Sequence, residues 1–192
     1  MRKVSTPAPG ESARPALALV NSRRNEPAGP VDHLANSTAL RRWLVTQGLP
    51  ADGRLDPEAM RELRVAVREL LLARIEQRVP DRAAVDSVNA AAAPAVRRLT
   101  WSEATKPHQT LEHPGVTGTA LARALLATDA IDLLTGPDHA NLRACAAPGC
   151  ARLLLKDHPR REWCSARCGD RVRASRYYRR RKAAGAASPP SS

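Results

Sequence analysis

Four cysteines stand in two close pairs, Cys145/Cys150 and Cys164/Cys168, and the chain has no others. Four residues separate the first pair, three the second, and thirteen lie between the pairs. Soft thiolates at such spacing suit a tetrahedral zinc ion, with Zn–S bonds of about 2.3 Å. One tight turn supplies one edge of the tetrahedron, and a second turn supplies the opposite edge. Pro148-Gly149 gives the first pair its turn chemistry, because glycine reaches the positive φ that such knuckles often require. Cys164 and Cys168 are four apart, so both can face one side of a helix's first turn. A shell closed by four protein ligands leaves no position for water or substrate. One zinc ion here is therefore expected to be structural, not catalytic.

Two disulfides, a redox switch and unliganded thiols are the alternatives. No secretory signal is visible: the run Ala16–Val20 is shorter than a signal's apolar core, and no stretch is long enough to span a membrane. A cytoplasmic chain keeps its thiols reduced, so metal is the expected occupant. His158 lies between the pairs, but four thiolates already fill the shell and no ligand role is expected of it. The segment has few large apolar residues, namely Leu153, Leu154, Leu155 and Trp163. Zinc binding supplies on the order of 10–16 kcal/mol in comparable small modules, so this region should be disordered without metal.

Charge gathers in the same place. Between Leu142 and Lys182 there are thirteen Lys/Arg and three Asp/Glu, a surplus of ten out of the chain's twelve. Zinc with four thiolates carries about −2, which leaves the module near +8. The rest of the chain is close to neutral, with eighteen basic and sixteen acidic residues. Such concentration is the footprint of a polyanion partner. A helix from Cys168 to Lys182 would place Arg173, Arg176 and Arg180 on one side, flanked by Arg171 and Arg179. Together with Arg160, Arg161 and Arg167 these are the candidate nucleic-acid contacts. Most would hold phosphates, while Arg171 or Arg173 could reach a guanine edge. Val172 and Ser175 should pack inward. Tyr177 and Tyr178 either stack on bases or pack against the body. A solvated helix end explains Arg179–Lys182 but not the whole basic stretch.

At the second pair the sequence reads Arg161-Glu162-Trp163-Cys164-Ser165-Ala166-Arg167-Cys168-Gly169-Asp170-Arg171. This stretch resembles the CGNR zinc finger family of bacterial proteins, with aspartate at position 170 where the family usually has asparagine. Leucines stand where the family usually has a phenylalanine, and the loop between the pairs is shorter than its usual form. Upstream, Leu17–Ser22 and Asp32-His33-Leu34 through Trp43-Leu44 are similar to the ABATE domain, regarded as a stress-induced transcription regulator. The resemblance runs from Pro15 to Lys182. It implies a zinc-dependent, DNA-binding regulator with a treble-clef-like finger.

A chain of 192 residues permits one medium domain plus a small module. We expect an α+β fold, predominantly helical, with residues 1–14 and 183–192 as disordered tails, a helical domain over 15–138 and the finger over 139–182. Asn36 or Ser37 should cap a helix bearing Leu40, Trp43 and Leu44, ended by Gly48. Asp56-Pro57 should start a helix with Met60, Leu63, Val67, Leu70 and Leu71 inward, continuing to Val79-Pro80. Asp81 should cap a third helix, and Thr119–Thr135 should form a fourth with Leu121, Leu125 and Ile131 inward. Val96–Trp101 and Thr110–Glu112 read as a hairpin turning near Lys106-Pro107, with Leu17–Val20 as a further strand. The scattered histidines form no HExxH, and no GxSxG, Walker or GxGxxG pattern occurs, so no enzyme is expected. Asn21 with Arg23 and Arg24 suits either a turn or a pocket for a small anionic effector. The expected partner is DNA, with RNA or an acidic protein as alternatives. A homodimer formed through the N-terminal domain is compatible with this reading, as is a thiol-based redox sensor.

Overall fold

The computed structural model describes residues 6–26, 29–100 and 108–186. Helices α1 (Pro15–Val20), α2 (Ser37–Thr46), α3 (Pro57–Glu76), α4 (Arg82–Ala92) and α5 (Gly118–Thr135) build the N-terminal body. Strands β1 (Arg23–Glu26) and β2 (Gly29–Asp32) form one hairpin, and β3 (Val96–Thr100) and β4 (His108–Glu112) another. A 3₁₀ turn over Pro137–Asn141 leads to β5 (Leu142–Ala144), its partner β6 (Leu153–Leu155) and the last helix, α6 (Ala166–Ala186). The fold is α+β and predominantly helical.

Local chemistry starts three of the helices, α2, α3 and α4, where the sequence indicates. The Asn36 side chain accepts from Ala39 N–H at 2.9 Å, and Asp56 accepts from Glu58 and Ala59 N–H at 3.0 and 3.1 Å. Asp81 does the same for Ala83 at 3.0 Å. Each satisfies orphan donors of a first turn. Leu40, Trp43 and Leu44 are buried on α2, as are Met60, Leu63, Val67, Leu70 and Leu71 on α3.

Several expectations need correction. Leu17–Val20 lies within a helix, not a strand: Pro15 occupies its first position and every residue from Ala16 to Val20 is buried. An apolar run buried all round has no period to distinguish strand from helix, and the proline at N1 was the usable cue. Helix α3 stops at Glu76, before Val79-Pro80, because Gln77 turns left-handed at φ 55° and Arg78 N–H reaches back to Ala73 O. On α5, Leu125 and Ile131 are only half-buried, while Ala122, Leu126, Ala130 and Leu133 are fully enclosed. Apolar residues surround most of that helix, so spacing alone could not choose its inner face. Trp101 and Lys106-Pro107 lie outside the described residues.

Residues 6–14, expected within a disordered tail, are held against the protein at Ala8, Pro9, Glu11 and Arg14. Ala8 and Glu11 are buried, Pro9 O accepts from Leu155 N–H, and Arg14 pairs with Asp129 and Asp138. At the other end, helix α6 continues four residues beyond the expected limit of 182. The main core includes Leu17, Leu19, Leu34, Leu40, Leu44, Leu126 and Leu133, and it also takes in Leu142 and Leu153 from β5 and β6. A second cluster joins Ala8, Cys145, Ala147, Leu154, Cys164, Cys168 and Val172, with Trp163 against it. The β5–β6 hairpin thus belongs to both.

Candidate metal centre and basic surface

The first cysteine pair sits in the loop between β5 and β6. Cys145 N–H bonds Arg152 O at 3.0 Å, continuing the hairpin, and Cys150 N–H closes a turn on Ala147 O at 3.0 Å. Gly149 takes φ +70°, as the knuckle requires. The second pair brackets the start of α6. Cys164 precedes the helix, and the Ser165 hydroxyl accepts from Cys168 N–H at 3.3 Å. Ser165 is therefore the cap of α6, and it fixes Cys168 in the first turn facing Cys164.

Convergence is close. All four sulfurs lie within 4.8 Å of one another, with Cys150–Cys164 and Cys164–Cys168 at 3.7 Å. A tetrahedron with 2.3 Å metal–sulfur bonds has edges of about 3.8 Å, whereas a disulfide needs about 2.05 Å. The donor set fits zinc and does not fit disulfides. Cys164 N–H also points at Cys145 Sγ at 3.3 Å, a backbone donor toward sulfur of the kind that steadies thiolates. Left to protons alone, the cluster cannot ionise evenly. Thiol donors from Cys150 and Cys164 hold Cys145 far below the usual thiol range, while that same neighbour pushes Cys150 up to about 11 and Cys164 higher still. A divalent ion removes this conflict by accepting four thiolates at once. His158 lies exposed and accepts from Arg160 N–H through Nδ1 at 3.2 Å, away from the sulfurs.

The Gly169-Asp170-Arg171 segment holds the finger together. A Cβ on Gly169 would lie 3.0 Å from Trp163 Cε3, so the indole packs closely on this first turn and a larger residue would crowd it. Arg171 donates to Pro148 O at 3.0 Å, tying α6 to the knuckle. Arg173 pairs with Asp170 at 2.6 Å and lies 5.7 Å from the Trp163 ring centroid. These contacts engage Arg171 and Arg173 within the chain. Arg161 pairs with Asp157, and Arg160 is exposed beside it. Arg167 is exposed and faces the body rather than the distal part of α6.

Beyond Val172, which is buried, every side chain of α6 from Arg173 to Lys182 is exposed. Ser175, expected inside, is exposed and its hydroxyl accepts from Arg179 at 3.2 Å. Neither tyrosine packs on the body: they meet edge to face at 5.9 Å, with Arg181 over Tyr177. Arg176 and Arg180 have no hydrogen bond or ion pair among the described residues. The far part of α6 is a solvated rod bearing Arg176, Arg179, Arg180, Arg181 and Lys182.

Asn21 is neither a turn former alone nor a pocket wall. Buried at the end of α1, it takes Leu153 N–H on its oxygen at 2.8 Å and donates to Leu153 O at 2.8 Å and to Glu11 at 2.6 Å. It acts as a strand partner for β6.

A helical body sharing its core with a four-cysteine finger, whose last helix is basic, defines a zinc finger protein with a helical N-terminal domain. The chain belongs to the ABATE family, whose description is "Putative stress-induced transcription regulator" and which matches residues 13–137. The CGNR zinc finger matches residues 141–181, and the four cysteines hold one structural zinc ion. No curated protein matches the sequence. Among the described residues no helix is long and apolar enough to cross a membrane.

Proposed function

We propose that this protein is a bacterial transcription regulator that binds duplex DNA through α6, with the zinc finger as a rigid mount. One observation carries the reading: from Arg173 to Lys182 the helix presents only exposed side chains, six of the ten cationic. A solvated rod of arginines buries nothing within the chain, and its charge is balanced most simply by phosphate. Arg176, Arg179, Arg180, Arg181 and Lys182 give five cations, so log K should fall with log salt at a slope of roughly −4.5. Tyr177 and Tyr178 lie among them, ready to meet sugar or base. A single small finger offers few base contacts, so the working form in this reading is a homodimer on two half-sites. The site of action is the cytoplasm, on the nucleoid.

The test is binding of duplex DNA, structured RNA and heparin to the zinc-loaded chain across a salt series. Duplex DNA should bind tightest, and Arg176→Glu/Arg180→Glu should weaken it and flatten the slope by about two. Equal affinity for heparin, or preference for RNA, sinks the DNA reading and leaves a general polyanion module. A redox sensor receives less support, since three of the four cysteines are buried and only Cys150 is partly accessible to an oxidant.

A further inference from the structure

Where the finger meets the body there is a cavity of about 540 Å³ whose walls carry seven guanidinium groups and no carboxylate. Strand β1 contributes Arg23 and Arg24, and α3 contributes Arg64 and Arg68. The finger contributes Arg152, Arg167 and Arg171.

Structural duties account for part of this charge. Asp32 pairs with Arg64 at 2.6 and 2.9 Å, and Glu11 pairs with Arg152 at 2.8 Å. Cys150, Cys164 and Cys168 also line the cavity, so the zinc–thiolate centre lends negative charge. With Arg24 left out of the balance, six guanidiniums against two carboxylates and a centre of about −2 still leave a surplus of about two. Arg68 is half-buried, with the Ala151 carbonyl at 2.8 Å, and Arg167 has no hydrogen bond or ion pair among the described residues. Like charges gathered in a concave, low-dielectric site repel one another and concentrate counter-ions. Planar guanidiniums match phosphate oxygens two at a time. The volume suits a mononucleotide-sized ligand, whereas a duplex cannot enter it.

We propose that this cavity binds a small phosphorylated molecule, and that the ligand fastens the finger to the N-terminal body. The walls come from both regions, so an anion there bridges β1 and α3 to the base of α6. This does not rest on DNA binding, which involves the far end of the same helix.

The test uses the full zinc-loaded chain, titrated calorimetrically with AMP and with inorganic pyrophosphate at physiological ionic strength, with adenosine as the uncharged control. One phosphorylated probe should bind saturably per chain, and adenosine should not. Arg23→Gln and Arg68→Gln should each weaken binding about tenfold, while Arg42→Gln, exposed on α2, should leave it unchanged. Zinc content and circular dichroism establish that each variant is folded. Arg23 has an exposed side chain, so its variant keeps the experiment interpretable even if Arg68→Gln fails to fold. Absence of saturable binding by either probe overturns the proposal, as does unchanged affinity in Arg23→Gln. Loss of duplex affinity in Arg23→Gln without any binding of the small probes would place a DNA phosphate against Arg23 at the cavity's mouth and also overturn it. Charge reversal on α6 reads the DNA interface separately, so either reading can fail alone.

Discussion

Asp170 occupies an uncommon place among the residues of the finger. It sits one turn from Arg173 and holds that guanidinium at 2.6 Å, while the Trp163 ring centroid lies 5.7 Å from the same guanidinium. Exposed pairs of this kind contribute little to stability, typically under about 1 kcal/mol. Their effect on a phosphate partner is larger, because the carboxylate both occupies the cation and repels the anion. Asp170→Asn keeps the size and hydrogen-bonding reach of the side chain while removing its charge. We expect this change to leave the melting temperature of the finger nearly unchanged and to tighten DNA binding by about threefold or more, with a salt slope steeper by about one. Fluorescence anisotropy at several salt concentrations reads both. Unchanged affinity would mean that Arg173 serves Trp163 and the finger alone.

Among the elements, the α3–α4 corner shows how an exposed acid can set a pH response. Arg78 donates to Glu69 at 2.5 and 2.8 Å and to Glu76 at 2.7 Å, and Asp81 N–H adds a third donor to Glu69. The Arg78 hydrogen bonds, then the Asp81 amide, hold the Glu69 carboxyl at about 2, against 4.5 for the free group. A carboxyl depressed in the folded state contributes stability that is present above its unfolded value and is lost as pH falls toward the folded one. The contribution is thus full above about pH 4.5 and gone near pH 2. Comparing melting temperatures of the protein and Glu69→Gln from pH 7 to pH 2, the variant should melt lower at neutral pH and converge at the acid end. A constant gap would show that the corner is held by shape rather than charge. The corner also marks how far the elements were legible in the sequence. Asp56-Pro57, Asp81 and Asn36 announce their helices through cap chemistry, which is local. Hairpins β1–β2 and β5–β6 were not foreseen, because Arg23-Arg24-Asn25-Glu26 has no apolar alternation and β5 has only three residues. Their stability comes from the partners they dock on. The metal ligands were fully readable since a closed tetrahedron demands its donors in pairs. The fate of Arg171 and Arg173 was not, since Pro148 O, Asp170 and Trp163 meet them only after folding.

At the scale of the whole molecule, the finger is anchored to the body by a buried polar lock as well as by the metal. Glu11 and Arg152 are buried as an ion pair at 2.8 Å, and Asn21 joins Glu11 to β6. Breaking such a pair from one side leaves an uncompensated charge inside, at a cost of about 3–5 kcal/mol. Leu142 and Leu153, each 1% exposed, sit in the same core as the N-terminal helices. Metal loss should therefore divide the finger in two. Cys164→Ser removes one ligand and with it the reason for Trp163, Cys168 and Val172 to stay together. We expect the variant to bind no zinc, to lose protection of its amides across α6, and to show a solvent-exposed signal for Trp163. The β5–β6 hairpin should survive, because its amides answer to the N-terminal part of the chain: Leu153 N–H to Asn21 and Leu155 N–H to Pro9 O. Hydrogen exchange resolved by residue reads the boundary directly. Slow exchange at Leu153 and Leu155 beside fast exchange from Ala166 onward supports a body that owns the hairpin and a metal that owns the helix. Fast exchange at all of these amides would mean that zinc, and not the polar lock, keeps β6 on the core.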